Sequence, residues 1–303
     1  MFARIRTSLP YLAPLGAVVA LSLACGGLAN LGNTPSPGLE PQDEDYATAR
    51  AGFRTKLVKN GPAPQSWRPE RPPAGVTEVP YQSGDLRLKA WVNAPPGNAA
   101  PKPAVVYLHG GFAFGADDWD QAQPFRDAGF VVMTPMLRGE NGLPGNFTMF
   151  YDEVDDILAA AEYLLKQPYV DAKRLFVAGH SAGGTLTMLA AQASNKFKGA
   201  ASLSGSPDRV TFVNGGWKDK APFDQGDIRE FRLRSPVAYA RSFKCPARLY
   251  VGDQEGPYVG ETRRTATVAK EKGLDVEAVV LRGDHFTYVP QALKQAAEFF
   301  KSK

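Results

Sequence analysis

From residue 76 to the C-terminus the chain alternates short apolar runs with helical patterns, and this alternation restricts the fold more than any other feature. Two runs of alternating polarity, 76–81 and 86–93, are joined by Ser83-Gly84-Asp85 and predict an antiparallel hairpin. Six shorter apolar runs follow, at 104–108, 130–135, 174–178, 200–203, 247–251 and 276–281, of the kind buried on both faces of a parallel sheet. Helical patterns at 119–128, 151–166, 182–193, 261–272 and 290–300 lie between or beyond them. Eight strands with crossover helices predict an α/β fold, a mostly parallel eight-stranded sheet with helices on both faces. Such a sheet reacts beyond the carboxyl ends of its strands, so the loops there are where chemistry is to be sought.

The preceding residues read differently. Residues 1–24 begin with a basic stretch carrying Arg4 and Arg6, pass through an apolar stretch, and end at Ser22-Leu23-Ala24, followed by Cys25-Gly26-Gly27. This is the layout of an export signal, which places the protein in the periplasm or cell envelope. Two processing routes fit: conventional cleavage after Ala24, or a lipoprotein-type box that leaves Cys25 lipid-anchored, with the box leucine displaced from its usual place. An uncleaved anchor is a third reading, weakened by Pro10 and Pro14. Residues 25–75, rich in Gly, Pro and charge, are expected to form a tether or linker with a short helix around 46–58. Residues 76–303 are then expected to form one domain.

Composition excludes several classes. The formal net charge of +4 gives no reason to expect a nucleic-acid partner. Two cysteines, Cys25 and Cys245, cannot build a disulfide scaffold. Only three histidines are present, His109, His180 and His285, so a mechanism needing an imidazole base has a short list.

The run 174–178 leads into Gly179-His180-Ser181-Ala182-Gly183-Gly184 and an alanine-rich helix. This is Gly-x-Ser-x-Gly in a strand, sharp turn, helix setting, which lifts a nucleophilic Ser181 above the sheet and points the positive end of a helix at the reacting oxygen. The run 104–108 leads into His109-Gly110-Gly111-Phe112. Acyl transfer passes through a tetrahedral anion, and two fixed backbone N–H groups are needed to hold it. Ala182 is expected to supply one, and Gly111 or Phe112, in a segment that resembles the His-Gly-Gly oxyanion element of α/β-hydrolases, the other. His285, just after the last strand, is the expected base, because His109 lies in the oxyanion segment and His180 would have to double back to reach Ser181. The acid stands on the loop Gly252-Asp253-Gln254-Glu255-Gly256, where two carboxylates compete.

Together these residues resemble the α/β-hydrolase superfamily, and within it the catalytic domain of the prolyl oligopeptidase (peptidase S9) family and its dienelactone-hydrolase-like relatives. Leu137-Arg138-Gly139, Arg234-Ser235-Pro236 and Cys245-Pro246 extend the likeness. The resemblance implies an α/β-hydrolase fold and serine hydrolysis of an ester or of a peptide or other amide through an acyl-enzyme, with no metal or organic cofactor. It favours Glu255 as the acid over Asp253, since many such enzymes carry the acid three residues past the glycine. The peptidases usually place aspartate there, and the chain is expected to hold no β-propeller, so peptide specificity is set against a carboxylesterase or dienelactone-hydrolase-like alternative. A surface binding protein on a hydrolase fold is the rival of another class. The stretch 204–244, with Phe212, Trp217, Phe223 and Phe231 among basic residues, is read either as a lid over the acyl pocket or as an ordinary excursion with a solvated basic face. One of the acidic residues opening the 151–166 helix is expected to pair with Arg138.

Overall fold

The computed structural model describes residues 38–97 and 100–303; the expected signal segment, Cys25 and the first part of the expected tether lie outside the described residues. One sheet of eight strands runs through the domain: β1 (Thr77–Ser83), β2 (Leu86–Val92), β3 (Lys102–Leu108), β4 (Val131–Pro135), β5 (Val170–His180), β6 (Gly199–Leu203), β7 (Ala247–Gly252) and β8 (Val276–Leu281). The order across the sheet is 1-2-4-3-5-6-7-8. β1 and β2 form the expected hairpin and β2 meets β4 antiparallel, while the remaining pairs are parallel.

The helices are α1 (Tyr46–Ala51), α2 (Ala116–Gln121), α3 (Gln123–Asp127), α4 (Glu153–Leu165), α5 (Ala182–Ala193), α6 (Arg209–Phe212), α7 (Ile228–Arg232), α8 (Pro257–Glu271) and α9 (Val289–Lys301). Successive strand residues point to opposite faces and so feed two cores. Along β3, Ala104, Val106 and Leu108 join α4, α5 and α8 on one side. Val105 and Tyr107 join α2, α3 and α9 on the other. Phe300 of α9 stacks on Phe176 of β5 at 4.5 Å, and burial of rings of this size supplies much of the driving force on that face. No helix among the described residues is long and apolar enough to cross a membrane.

Three expectations are corrected. The helix read at 119–128 is two short helices, α2 and α3, with Pro124 in the first turn of α3 where it lacks a donor to continue α2. The helix read at 46–58 stops at Ala51, with Gly52 as its cap. The largest correction concerns the tether: residues 38–75 lie along the sheet domain as a strap.

The strap's anchors are dispersed. Tyr46 is fully buried and donates through its hydroxyl to the Leu233 carbonyl. Glu230 accepts from the Thr55 hydroxyl and the Lys56 N–H at 2.8 and 2.6 Å. The Val58 N–H donates to the Pro222 carbonyl, the Phe147 N–H to the Gly61 carbonyl, and the Ala63 N–H to the Gly139 carbonyl. Glu70 then accepts from the Ala116 N–H at the start of α2. A Pro/Gly-rich composition signals little regular structure, and it does not forbid a fixed path when backbone groups elsewhere supply partners.

The stretch 204–244 is an irregular excursion of short helical turns. Its basic residues are largely paired or packed: Arg234 is buried against Glu230, Arg229 pairs with Asp227, and Lys220 lies over Trp217. Its aromatic residues Phe212 and Trp217 stack on each other, and Trp217 meets Phe112 edge-on at 5.0 Å.

Candidate active site

The turn after β5 is forced by close packing. A Cβ on Gly183 would lie 2.1 Å from the Leu108 carbonyl oxygen, and one on Gly179 2.6 Å from the backbone of Gly183. Only glycine lets β5, α5 and the end of β3 approach so closely. Ser181, between them, sits at φ +56°, a region non-glycine residues enter at a cost of roughly 1–3 kcal/mol. Its N–H donates to the Leu203 carbonyl at 2.8 Å, and the tightly packed turn holds the strain in place.

The loop after β8 brings His285 over Ser181, with Nε2 2.9 Å from the serine Oγ. Its Nδ1 lies 2.6 Å from Glu255 Oε1. Of the two competing carboxylates, Glu255 is the one in contact with His285. It is buried, and its other oxygen accepts from the Gly252 N–H at 2.7 Å and the Ser204 hydroxyl at 2.9 Å. Burial alone would raise its pKa, but the hydrogen bonds from His285, Gly252 and Ser204 outweigh that and hold it below the usual carboxylate value. Asp253 does a different job: it is exposed, and its carboxylate accepts from the Gly283 N–H at 2.9 Å, fastening the loop that carries His285.

The other two histidines have partners of their own. His109 is buried with Nε2 3.0 Å from Glu140. Burial works against its charge, but Glu140 prevails and raises its pKa to about 9, so the pair is an ionic brace at the start of the 109–112 turn. His180 donates from Nε2 to the His285 carbonyl at 2.9 Å, and its ring lies 4.9 Å from that of His285. Burial pushes its pKa down to about 4 against the pull of that hydrogen bond, leaving a neutral imidazole that tethers the backbone of His285.

Three parts of the site escaped the sequence reading. His180, an elbow residue by sequence, donates to the backbone of His285. Ser204 and Tyr288 stand behind Glu255: the Tyr288 hydroxyl lies 2.8 Å from the Ser204 hydroxyl and 3.1 Å from the Tyr250 carbonyl, with one proton to give to either. The signal for Ser204 was its place at the carboxyl end of β6, beside the strand that carries the acid. The third is Gln65 in the strap, whose side-chain oxygen accepts from the Phe112 N–H at 2.8 Å. No motif pointed to it.

The turn carrying the expected oxyanion residues passes Ser181 at Gly110, where a Cβ would lie 3.6 Å from the serine Cβ. Ala182 opens α5 directly after it. Gly111 sits at φ +67° and turns the chain so that Phe112 follows. The Phe112 ring packs among Phe147, Phe150 and Trp217, and a narrow cavity lined by Leu108, Phe112, Leu137, Phe147, Phe150 and Leu186 lies behind this turn. The expected partner of Arg138 is Asp156, which takes its guanidinium through both carboxylate oxygens at 2.9 and 2.7 Å, with Asp152 farther off at 3.5 Å.

A crossover sheet with a serine elbow after β5 and a histidine after β8 defines an α/β-hydrolase. The prolyl oligopeptidase family profile matches residues 117–301, more than half of the chain, and the chain belongs to that family. It is similar to the uncharacterized peptidase YtmA of Bacillus subtilis, 27% identical over 190 residues that cover 58% of this chain and 71% of that one. It is also similar to acylamino-acid-releasing enzyme 1 of rice (Oryza sativa subsp. japonica), 26% identical over 215 residues, 62% of this chain and 28% of that enzyme. Among solved structures, an esterase of Pyrobaculum calidifontis superposes with a TM-score of 0.63 at 21% identity, covering 76% of this chain and 86% of the esterase. The acylaminoacyl peptidase of Pyrococcus horikoshii gives 0.60 at 24%, covering 75% of this chain and 40% of the peptidase. The chain thus spans less than half the length of these acylamino-acid-releasing relatives.

Proposed function

We propose that the protein is a serine hydrolase of small esters and short acylated peptides, working through an acyl-enzyme on Ser181. The observation that carries this reading is the continuous line from Ser181 Oγ through His285 to Glu255, at 2.9 and 2.6 Å. His285 Nε2 takes the serine proton as Oγ attacks the acyl carbonyl. Glu255, held anionic by its three donors, keeps the Nδ1 proton in place and stabilises the imidazolium without taking the proton itself. The tetrahedral anion is held by the N–H groups of Ala182 and of Phe112 or Gly111, and a single donor of this kind is worth roughly 10²–10³ in turnover. His285 returns its proton to the departing alcohol or amine, and water repeats the sequence on the acyl-enzyme.

The named activity of the rice and Pyrococcus relatives supports acylated peptides as one substrate class, and the Pyrobaculum likeness supports esters. Turnover of a panel of p-nitrophenyl esters and N-acetyl-aminoacyl p-nitroanilides tests the reading. Wild type is expected to turn over both classes and Ser181→Ala neither; equal turnover by the two proteins would refute it. Rates on the anilides below about one-thousandth of those on the esters would favour the carboxylesterase alternative.

We also infer export, with Cys25 as the residue a lipoprotein route would acylate, from the basic, apolar and small-residue segments at positions 1–25. Envelope fractionation of wild type and Cys25→Ala tests it: a lipid-anchored protein moves from the membrane to the soluble envelope fraction in the variant, and a cytosolic wild type refutes export.

A further inference from the structure

The strap meets the site at one atom that matters. The Phe112 N–H, a candidate donor to the tetrahedral anion, is taken by the Gln65 side-chain oxygen at 2.8 Å. An N–H can only face an acceptor, so the carboxamide presents its oxygen here. The approach is tight enough that a Cβ on Gly111 would lie 2.4 Å from that oxygen. A neutral carbonyl oxygen resting on this donor is what a substrate carbonyl offers before attack. Gln65 therefore covers a donor that the acyl oxygen would use.

The segment around it is built to hold that position without being locked into it. Its sequence is Gly61-Pro62-Ala63-Pro64-Gln65-Ser66-Trp67. Two prolines fix φ on either side of Ala63, so little conformational freedom is lost in presenting Gln65. Ala63 is buried and bonded to the Gly139 carbonyl, and Trp67 leans on Gly142, where a Cβ would lie 2.8 Å from the indole ring. Between these anchors Gln65 and Ser66 are exposed. Few buried apolar contacts oppose a local lift of the segment.

We propose that residues 61–67 form an intrasteric gate, with the Gln65 carboxamide occupying the oxyanion donor until substrate displaces it. This rests on the serine hydrolase reading above. A carboxamide oxygen is a weaker acceptor than the anion formed on attack, because hydrogen bonds to a charged acceptor are roughly twice as strong as neutral ones. The gate therefore yields to a reacting acyl group more readily than to one that only binds.

The test compares the second-order rate of labelling by an alkyl fluorophosphonate in wild type, Gln65→Ala and Gln65→Glu at pH 8, with the labelled residue mapped by mass spectrometry. Gln65→Ala is expected to label Ser181 about three- to tenfold faster than wild type, the competition expected from one net hydrogen bond. Gln65→Glu is expected to label more slowly than wild type, since a carboxylate both holds the donor and repels the developing anion. Both proteins change one exposed side chain, so matched thermal melting shows that the comparison is between folded forms. Labelling of Ser181 in Gln65→Ala at or below the wild-type rate, or Gln65→Glu as fast as Gln65→Ala, overturns the gate and leaves the hydrolase reading standing. Absence of Ser181 labelling in all three overturns the hydrolase reading and the gate with it.

Discussion

The two sides of the site are built in different ways. Around Ser181, everything is local or close-packed: glycines at 179 and 183 let three backbones touch, and the serine is bonded to the end of the neighbouring strand. On the opposite side, the 109–112 turn is braced from below by His109 and Glu140 but is touched from above by a segment about 47 positions earlier in the chain. One side is rigid because its atoms have nowhere to go. The other is adjustable because a single exposed carboxamide rests on it. Attack geometry is thereby fixed while access to the oxyanion donor remains open to control.

The sharpest way to break this contrast is at the rigid side. Gly183→Ala places a methyl group against the Leu108 carbonyl, backbone against backbone, and is expected to cost more than about 3 kcal/mol, read as a large fall in melting temperature or as insoluble protein. A variant melting within a few degrees of wild type would show that the turn has room the packing denies. Next comes the acid. Glu255→Gln is expected to lower kcat roughly 10³–10⁴-fold, by the logic of a triad whose orienting carboxylate is lost. Asp253→Asn, which touches only the Gly283 N–H, is expected to lose less than about tenfold through a loosened loop. A reversal of that order would move the acid to Asp253.

Smaller effects probe the supports. His180→Phe keeps a ring beside His285 but removes the donor to its carbonyl, so kcat is expected to fall about tenfold with little change in melting temperature. On the other side, the pKa of His109 is raised from 6.5 to about 9 in the folded protein. The native state holds that proton more tightly than the unfolded chain does, so the pair's contribution is complete below pH 6.5 and is lost as pH rises through about 9. Melting temperature followed over that interval should decline more steeply in wild type than in His109→Asn, and parallel curves would remove the ionic brace.

The fold was largely legible because buried strands are continuous apolar runs and surface helices are periodic, signals that survive in one sequence. Every apolar run from 76 to 281 corresponds to a strand. What failed had no such signal. Residues 38–75 are held by the burial of Tyr46, by Glu230 and by scattered backbone hydrogen bonds, with partners far along the chain. The 204–244 excursion is a string of short turns with no sustained period. At the site, Ser181 and His285 were legible from motif and order, and Glu255 from its distance past Gly252, with the structure placing it against His285. His180, Ser204, Tyr288 and Gln65 were not, because their roles depend on which loops meet in space.

The central claim is that Ser181, His285 and Glu255 act with an oxyanion donor that Gln65 covers at rest. A crystal structure of the phosphonylated protein tests it most directly. In the expected adduct phosphorus is bonded to Ser181 Oγ, its oxygen accepts from the Ala182 and Phe112 N–H groups, and the Gln65 carboxamide is displaced. An adduct on another residue, or one on Ser181 with Gln65 still bonded to Phe112, would contradict it.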